Sequence, residues 1–502
     1  MHYPSDIEFS RPIATAMALG EVAPDRNAFF KKPVLLTGEA FILATENGRA
    51  CFLDSLRLLI RICENISILL PGPDSLREET QRLIDSISFK AKPRFTNTRE
   101  FSIFQAILSV GTEARPELPW TVINSNGWLA RISSGGTQLS SQCNQTNPIG
   151  ALGAASLGVT EVFKRLVNLK PDRGELADGL TFSFFSYQAG HENQGPELPE
   201  TIALELMLVG VGAIGNAVVH LLNSLPLNGN VWLVDRQEFG KENLGTCILI
   251  GPDDLNKGKA EFAKNLLTSS RLNARSVPLP VETLRYSLGT EVPHPRLVVN
   301  ALDNIDARHE VQQMWPDMIV DGAIGDFGCE VSLHPWSGDL SCLLCDFQHQ
   351  DQSAETVQTE QTGLDKTRLT QPQSPVTLKD VNAARPEKRE WLRQRIGNPI
   401  CSVVSEAVLE MISQDKQEDG FAPSSPFVAC LSGSMVVAEL VRYILGWEPV
   451  LQTGYQFDVL FGPQLGLKKR HTRKTNCRCV ERRSNINKAR TMWGFSSKTK
   501  EQ

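Results

Sequence analysis

The sequence predicts an α/β fold built on a parallel, nucleotide-binding sheet, and three observations predict it. Leu206-Met-Leu-Val-Gly210-Val-Gly212-Ala-Ile-Gly215-Asn-Ala-Val-Val-His220 is an apolar strand running into a glycine turn and then a helix. Asn230-Val-Trp-Leu-Val-Asp235 is a second strand whose terminal acid stands 20 residues past Gly215, the spacing at which a carboxylate reaches a ribose hydroxyl. Leu297-Val-Val-Asn-Ala301 is a third, and it delivers Asp303, Asn304 and Asp306 to the carboxyl edge of the sheet, where open α/β sheets bind ligands. Gly210 and Gly212 permit a tight turn and close approach of a phosphate. Gly215 lets helix and strand pack, and the helix N-terminus offers unpaired N–H groups to an anion. A glycine run alone is a weak signal; strand, turn, helix, second strand and acid together point to a nucleotide.

Composition bounds the rest. At 502 residues the chain has room for two to four domains, and 41% hydrophobic with 22% charged residues is ordinary for a globular protein. No run of 18 uncharged apolar residues offers a membrane span, and Met1 to Phe9 lacks the basic head and apolar core of a secretory signal. A cytoplasmic location without membrane or nucleic-acid partners is expected. Eleven cysteines, an odd number, do not form an obvious disulfide framework, so metal or catalytic use is the better question. The net charge of −6 names no partner, and the basic stretch from Lys468 to Lys500 reads as a solvated surface or a disordered end.

In chain order, residues 1–195 carry an α/β pattern without a glycine loop. A helix covers Phe52 to Cys63, strands cover Ile66–Leu70, Gln105–Val110 and Trp120–Ile123, and a proline-started helix runs from Pro148 to Leu166 with small residues on one face. Gly190 to Pro199 reads as a linker, and the second unit begins at Ile202. There, Asn256-Lys257-Gly-Lys259-Ala opens a helix, Ile319 to His334 is a glycine-punctuated strand pair, and Cys342-Leu-Leu-Cys345 has metal-like spacing. Residues 346–398 are polar, with a Gln-rich run from Gln348 to Gln373, and read as a mobile crossover. Pro426 to Glu439 is a buried helix by its apolar, small-residue face.

Gly210-x-Gly212-x-x-Gly215, Asp235, Glu242-Asn243-Leu244, Lys257-Gly-Lys259, Ala301-Leu-Asp303-Asn304 with Arg308, the Gly328 strand and the Cys pair stand in the order of a known family. The chain resembles the E1-like, ThiF/MoeB-type adenylating enzymes that activate ubiquitin-like proteins. Residues 105–168 are similar to the degenerate first half of a two-part E1. The resemblance therefore implies two Rossmann-like units in one chain, a pseudo-dimer with the first unit inactive and the second active, and an inserted catalytic-cysteine region. The expected domains are 1–195, 196–345, 346–420 for the cysteine region, 421–482 with the second zinc pair, and 483–502 as a basic tail. The fused layout most resembles E1 components of bacterial ubiquitin-like conjugation operons of the Bil and CBASS type, some linked to antiphage defence.

The resemblance implies that the C-terminal carboxylate of a ubiquitin-like protein attacks the α-phosphate of ATP. Asp303 matches the magnesium-binding acid, Lys259 the phosphate-holding lysine, Asp235 the ribose acid, and Asn243 a residue that places phosphate or metal, with Asn304 beside them. Cys401, in Pro399-Ile-Cys401-Ser402, matches a thioester nucleophile. Apolar residues after it keep helical spacing, which would put the thiol at a helix N-terminus where a thiolate is stabilised. Cys342, Cys345, Cys477 and Cys479 would bind one structural Zn²⁺, although Cys477-Arg-Cys479 is tighter than the usual pair. Where many members read Asn-Leu-x-Arg, this chain reads Asn243-Leu244-Gly245-Thr246, and Arg236 or Arg11 are candidates to replace the arginine.

The implied activity is adenylation, thioester capture and transfer to an E2-like protein. Two alternatives stay open: a MoeB/ThiF-type adenylyltransferase for a sulfur-carrier protein, with no thioester, and a nucleotide-binding scaffold. An NAD dehydrogenase would explain neither the cysteine pairs nor Lys259 and Asp303. Two halves in one chain satisfy the family's need for a dimer, and pairing of two chains through the same helices is left open.

Overall fold

The structure is a computed structural model that describes residue 16 and residues 28–495, apart from 171, 326, 348–358, 360–361, 372, 401, 405–406 and 408–424. One compact unit comprises residues up to 347 and from 423 onward, and residues 348–422 form another.

The larger unit contains the same sheet twice. In the first half, β1 (Val34–Gly38), β2 (Ile66–Leu69), β3 (Arg94–Phe95), β4 (Ala106–Val110), β5 (Trp120–Asn126), β6 (Leu129–Ser133), β7 (Leu180–Ser183) and β8 (Gln188–Ala189) line up as β3-β2-β1-β4-β5-β6-β7-β8. The second half has β9 (Ile202–Val209), β10 (Leu227–Val234), β11 (Leu272–Val277), β12 (Leu297–Asn300), β13 (Met318–Gly325), β14 (Gly328–Pro335), β15 (Gly454–Asp458) and β16 (Leu467–Lys469). Their order, β11-β10-β9-β12-β13-β14-β15-β16, is the same with every strand number raised by eight. In both sheets the first five strands in space are parallel and the last three are antiparallel additions. The central strands β1, β4 and β12 are buried along their whole length because helices cover both faces, whereas β11 alternates buried and exposed positions.

Each half supplies helices to a shared core: α1 (Glu46–Leu59) and α2 (Pro148–Leu166) from the first, α3 (Ala213–Ser224), α4 (Lys259–Thr268) and α6 (Pro426–Ile444) from the second, whose α5 (Ile305–Gln312) puts Val311 into a separate, smaller core. Asn147 caps α2 through a hydrogen bond from the Ile149 N–H, and Pro148 at the first helical position needs no N–H partner. Nearly all of α2 and α6 is buried, and the two cross the boundary between halves, with Phe163 and Phe427 ring centroids 5.3 Å apart. Gly433 lets α6 approach α3 closely: a Cβ there would lie 2.7 Å from that of Ala217. Helix α6 is the one described helix long and apolar enough to cross a membrane, and 89% of its apolar window is buried inside the protein.

Polar contacts pin the halves as well. Arg61, fully buried just past α1, donates from Nε to Cys247 O and from one terminal nitrogen to Ile250 O, both at 2.8 Å and both in the second half, and from the other to Arg57 O. Burial pushes its guanidinium down to about 9, still charged at neutral pH. His220 on α3 meets Asp54 on α1 at 2.9 Å, and the Tyr187 hydroxyl donates to Met435 O.

Two stretches are more ordered than the sequence suggests. Part of the basic tail folds into a helix, α7 (Arg483–Met492), whose Arg490 is buried against Trp315 O and Asp317. Arg473, Arg483 and Arg490 all lie against the Trp336 ring. Aromatic stacking and a carboxylate, neither local in sequence, offset the repulsion that made this tail look solvated. Within residues 348–422, the helices Lys366–Leu369, Leu378–Ala383 and Pro386–Arg393 close over a core that includes Leu364, Val376, Val381, Leu392 and Ile400.

Arg61→Ala removes a charged donor from two carbonyls of the second half and opens a cavity, so the unfolding free energy is expected to fall by roughly 3 kcal/mol. A urea titration followed by tryptophan fluorescence checks this, and an unchanged midpoint would remove Arg61 from the contacts that join the halves.

Candidate functional site

The register of three adjacent strands builds the site. Val234 of β10, Val209 of β9 and Asn300 of β12 stand in one row. The residues that follow, Asp235, Gly210 and Ala301, therefore leave the sheet together at its carboxyl edge. Gly210 donates to Val234 O at 2.9 Å and Ala301 donates to Val209 O at 2.8 Å, which extends the ladder one step beyond the strands.

The glycines differ in what they do. Gly210 has φ +92°, and a Cβ there would lie 2.8 Å from Ala301 O. A Cβ at Gly215 would strike the Gly210 carbonyl, so the turn closes only without side chains. Gly212 has no heavy atom within 4 Å of where its Cβ would sit, and it caps α3 with no side-chain hydrogen bond. The first turn of α3 thus presents backbone N–H groups to open space, a cradle suited to phosphate. Asp235 fixes this turn: its Oδ2 accepts from the Val211 N–H and its Oδ1 from the Gln237 N–H, both at 2.8 Å.

Lys259 and Asp303 complete the edge. Lys259 is buried at the start of α4; its N–H donates to Gln237 O and its Nζ to Gln237 Oε1, both at 2.8 Å. No other described group takes its two remaining ammonium donors. Asp303 is exposed and makes no hydrogen bond among the described residues, whereas its neighbour Asn304 caps α5 by accepting from the Ala307 N–H at 2.7 Å. An unpaired carboxylate beside a row of free N–H groups fits Mg²⁺, which takes one or two carboxylates and leaves its other positions to phosphate and water. Asn243 is buried and accepts from Gly240 N–H, so its carbonyl oxygen shapes its own turn. Thr246 is buried, Arg236 is exposed, and Arg11 and Cys401 lie outside the described residues. Among the described residues, Arg61 reaches this segment; no local pattern singles it out, and its nitrogens already donate to carbonyls.

The equivalent edge of the first sheet is filled from within. There β1 and β4 take the places of β9 and β12, and Glu39 follows β1 directly. Its Oε1 accepts from the Thr112 and Glu113 N–H groups at 2.8 Å and its Oε2 from the Thr112 hydroxyl at 3.0 Å.

The four cysteines of the two spaced pairs converge. Cys342 Sγ lies 3.7 Å from Cys345 Sγ and 3.8 Å from Cys477 Sγ, Cys345 Sγ lies 3.6 Å from Cys479 Sγ, and all four sulfurs fall within 4.8 Å of one another. A tetrahedral ion with Zn–S bonds of 2.3 Å places its sulfurs about 3.8 Å apart. The residues therefore fit zinc, and the Lys474 N–H aimed at Cys345 Sγ is a typical thiolate donor. Cys247, Cys329 and Cys430 are buried in the core.

The model of the ThiF family matches residues 200–479, more than half of the chain. The chain belongs to the ThiF family. The ThiF match runs from β9 to the last cysteine and contains the glycine turn, Lys259, Asp303 and both cysteine pairs. No curated protein matches the chain. Solved structures similar to it include Escherichia coli MccB with ATP, at 12% identity and TM-score 0.38, covering 72% of this chain and 97% of that one. MccB alone, at 14% and 0.39, covers 72% and 94%, and MccB with MccA-N7isoASN, at 13% and 0.38, covers 74% and 99%.

Metal analysis of the purified protein is expected to give one zinc per chain. Cys477→Ser should lose it and lower the melting temperature, since a structural zinc contributes directly to folding; full occupancy in the variant would exclude Cys477 as a ligand.

Proposed function

We propose that this ThiF-family chain is an ATP-dependent adenylyltransferase acting on the C-terminal carboxylate of a small protein or peptide. The observation that carries the reading is the convergence of the Gly210–Gly215 turn, Lys259 and Asp303 at one sheet edge. A carboxylate oxygen of the substrate attacks the α-phosphorus, a C(O)–O–P bond forms, the α–β anhydride breaks, and pyrophosphate leaves. The N–H groups of α3 and the Lys259 ammonium hold phosphate charge as it moves onto the leaving group. Asp303 would hold Mg²⁺, which supplies Lewis-acid neutralisation of the pyrophosphate. Asp235, which accepts from Val211 in the turn and from Gln237 in its own loop, keeps the cradle in shape and still has lone pairs for a ribose hydroxyl.

Thioester capture is the extended form of this reading. In it the Cys401 thiolate attacks the acyl carbon, AMP leaves, and the acyl group passes to an E2-like protein; the Pro399-Ile-Cys401-Ser402 segment supports it. The sulfur-carrier type of activity needs no such step. The first half, whose edge holds Glu39 in place of a ligand, acts as the inactive partner.

Lys259→Ala and Asp303→Ala are each expected to slow substrate-dependent pyrophosphate release by about 10²–10³-fold, with melting temperatures near wild type. Undiminished release in both would sink the assignment. Intact mass without reductant, after mixing with Mg-ATP and a candidate ubiquitin-fold substrate protein, separates the two forms. A thiol-labile adduct lost in Cys401→Ala establishes capture, and turnover without an adduct establishes adenylation alone. Equilibrium dialysis with ATP is expected to give one nucleotide per chain, and two would contradict the blocked first half.

A further inference from the structure

Asp303 is an exposed side chain on a short connection, yet a metal-holding carboxylate must stay in place. The connection runs from Asn300, the last residue of β12, to Asn304, the cap of α5. Neither end is free. Upstream, Asn300 Nδ2 donates to Asp321 Oδ1. Downstream, one turn into α5, Arg308 donates to Asp321 Oδ2 and, at 3.3 Å, to Gly322 O. One fully buried carboxylate on the neighbouring strand β13, paired in register with Asn300, therefore takes a donor from each side of the Asp303 connection. The Phe347 ring, 4.5 Å from the guanidinium, covers the pair.

We propose that Asp321 is a positioning residue for Asp303, clamping both ends of its connection so that the carboxylate meets Mg²⁺ without first being ordered. This rests on the reading of Asp303 as the magnesium-holding acid. Asp321 is too deeply buried to touch nucleotide or metal; it acts through Asn300 and Arg308. Partners that orient metal ligands typically govern metal affinity by 10–100-fold.

The test is equilibrium binding of a fluorescent ATP analogue to the full chain across a Mg²⁺ titration, with melting temperature measured alongside. Three proteins are compared: wild type, Asp321→Asn, and Asp321→Asn combined with Arg308→Gln. The single variant should need about 10–100-fold more Mg²⁺ for half-saturation. The double variant buries no uncompensated charge, so it should recover melting temperature while keeping the raised Mg²⁺ requirement. An unchanged requirement in the single variant, or a return to the wild-type requirement in the double, overturns the clamp and leaves Asp321 a structural ion pair. A wild type that binds no nucleotide at any Mg²⁺ concentration overturns the site reading itself, and the clamp with it.

Discussion

The packing of α2 on α6 is the contact on which the rest depends. Each helix is apolar almost all round, so neither can be covered by its own sheet alone, and each finds its second face on the other half. Burying a valine, leucine or phenylalanine is worth about 1.5–3 kcal/mol, and these helices bury many. Buried Arg61 then fixes the relative placement through directional bonds that packing alone does not supply. The segment it grips, 247–250, is also tied to α3, because Leu249 donates to Asn216 Oδ1 one residue past the glycine turn. The first half thereby helps to hold the second half's cradle in place.

Much of this was legible in the sequence where the signal is local. The glycine turn, β9, β10 and the bounds of α2 follow from short-range pattern, because strand, turn and capping chemistry act within a few residues. The duplication of the eight-strand order was harder to see: β3 and β8 are two residues long and carry no period. The pairing of Asp321 with Arg308 and the reach of Arg61 were not legible, since they depend on which strands become neighbours. Glu39 was missed for the same reason, because its donors lie more than 70 residues away. Cysteine spacing was informative because a tetrahedral site demands two close pairs, and the family match then covered the same span.

The cysteine cluster also explains how a separate unit at 348–422 is accommodated. Cys342 and Cys345 stand immediately before it, and Cys477 and Cys479 return after α6 and β16. A metal held there would join sulfurs 135 residues apart and remove loop entropy from the unfolded chain, a gain that grows slowly with loop length. The larger unit would then be tied off whatever the inserted residues do.

Glu39 has a meaning beyond its three hydrogen bonds. In an assembly of two identical chains, a carboxylate at that position would fill both edges at once, and one substitution could not alter one site without altering the other. Covalent duplication breaks that symmetry. Each half can accumulate its own substitutions, so one edge is able to become a solid buttress while its counterpart stays open, and the two sheets, alike in strand order, can diverge in purpose.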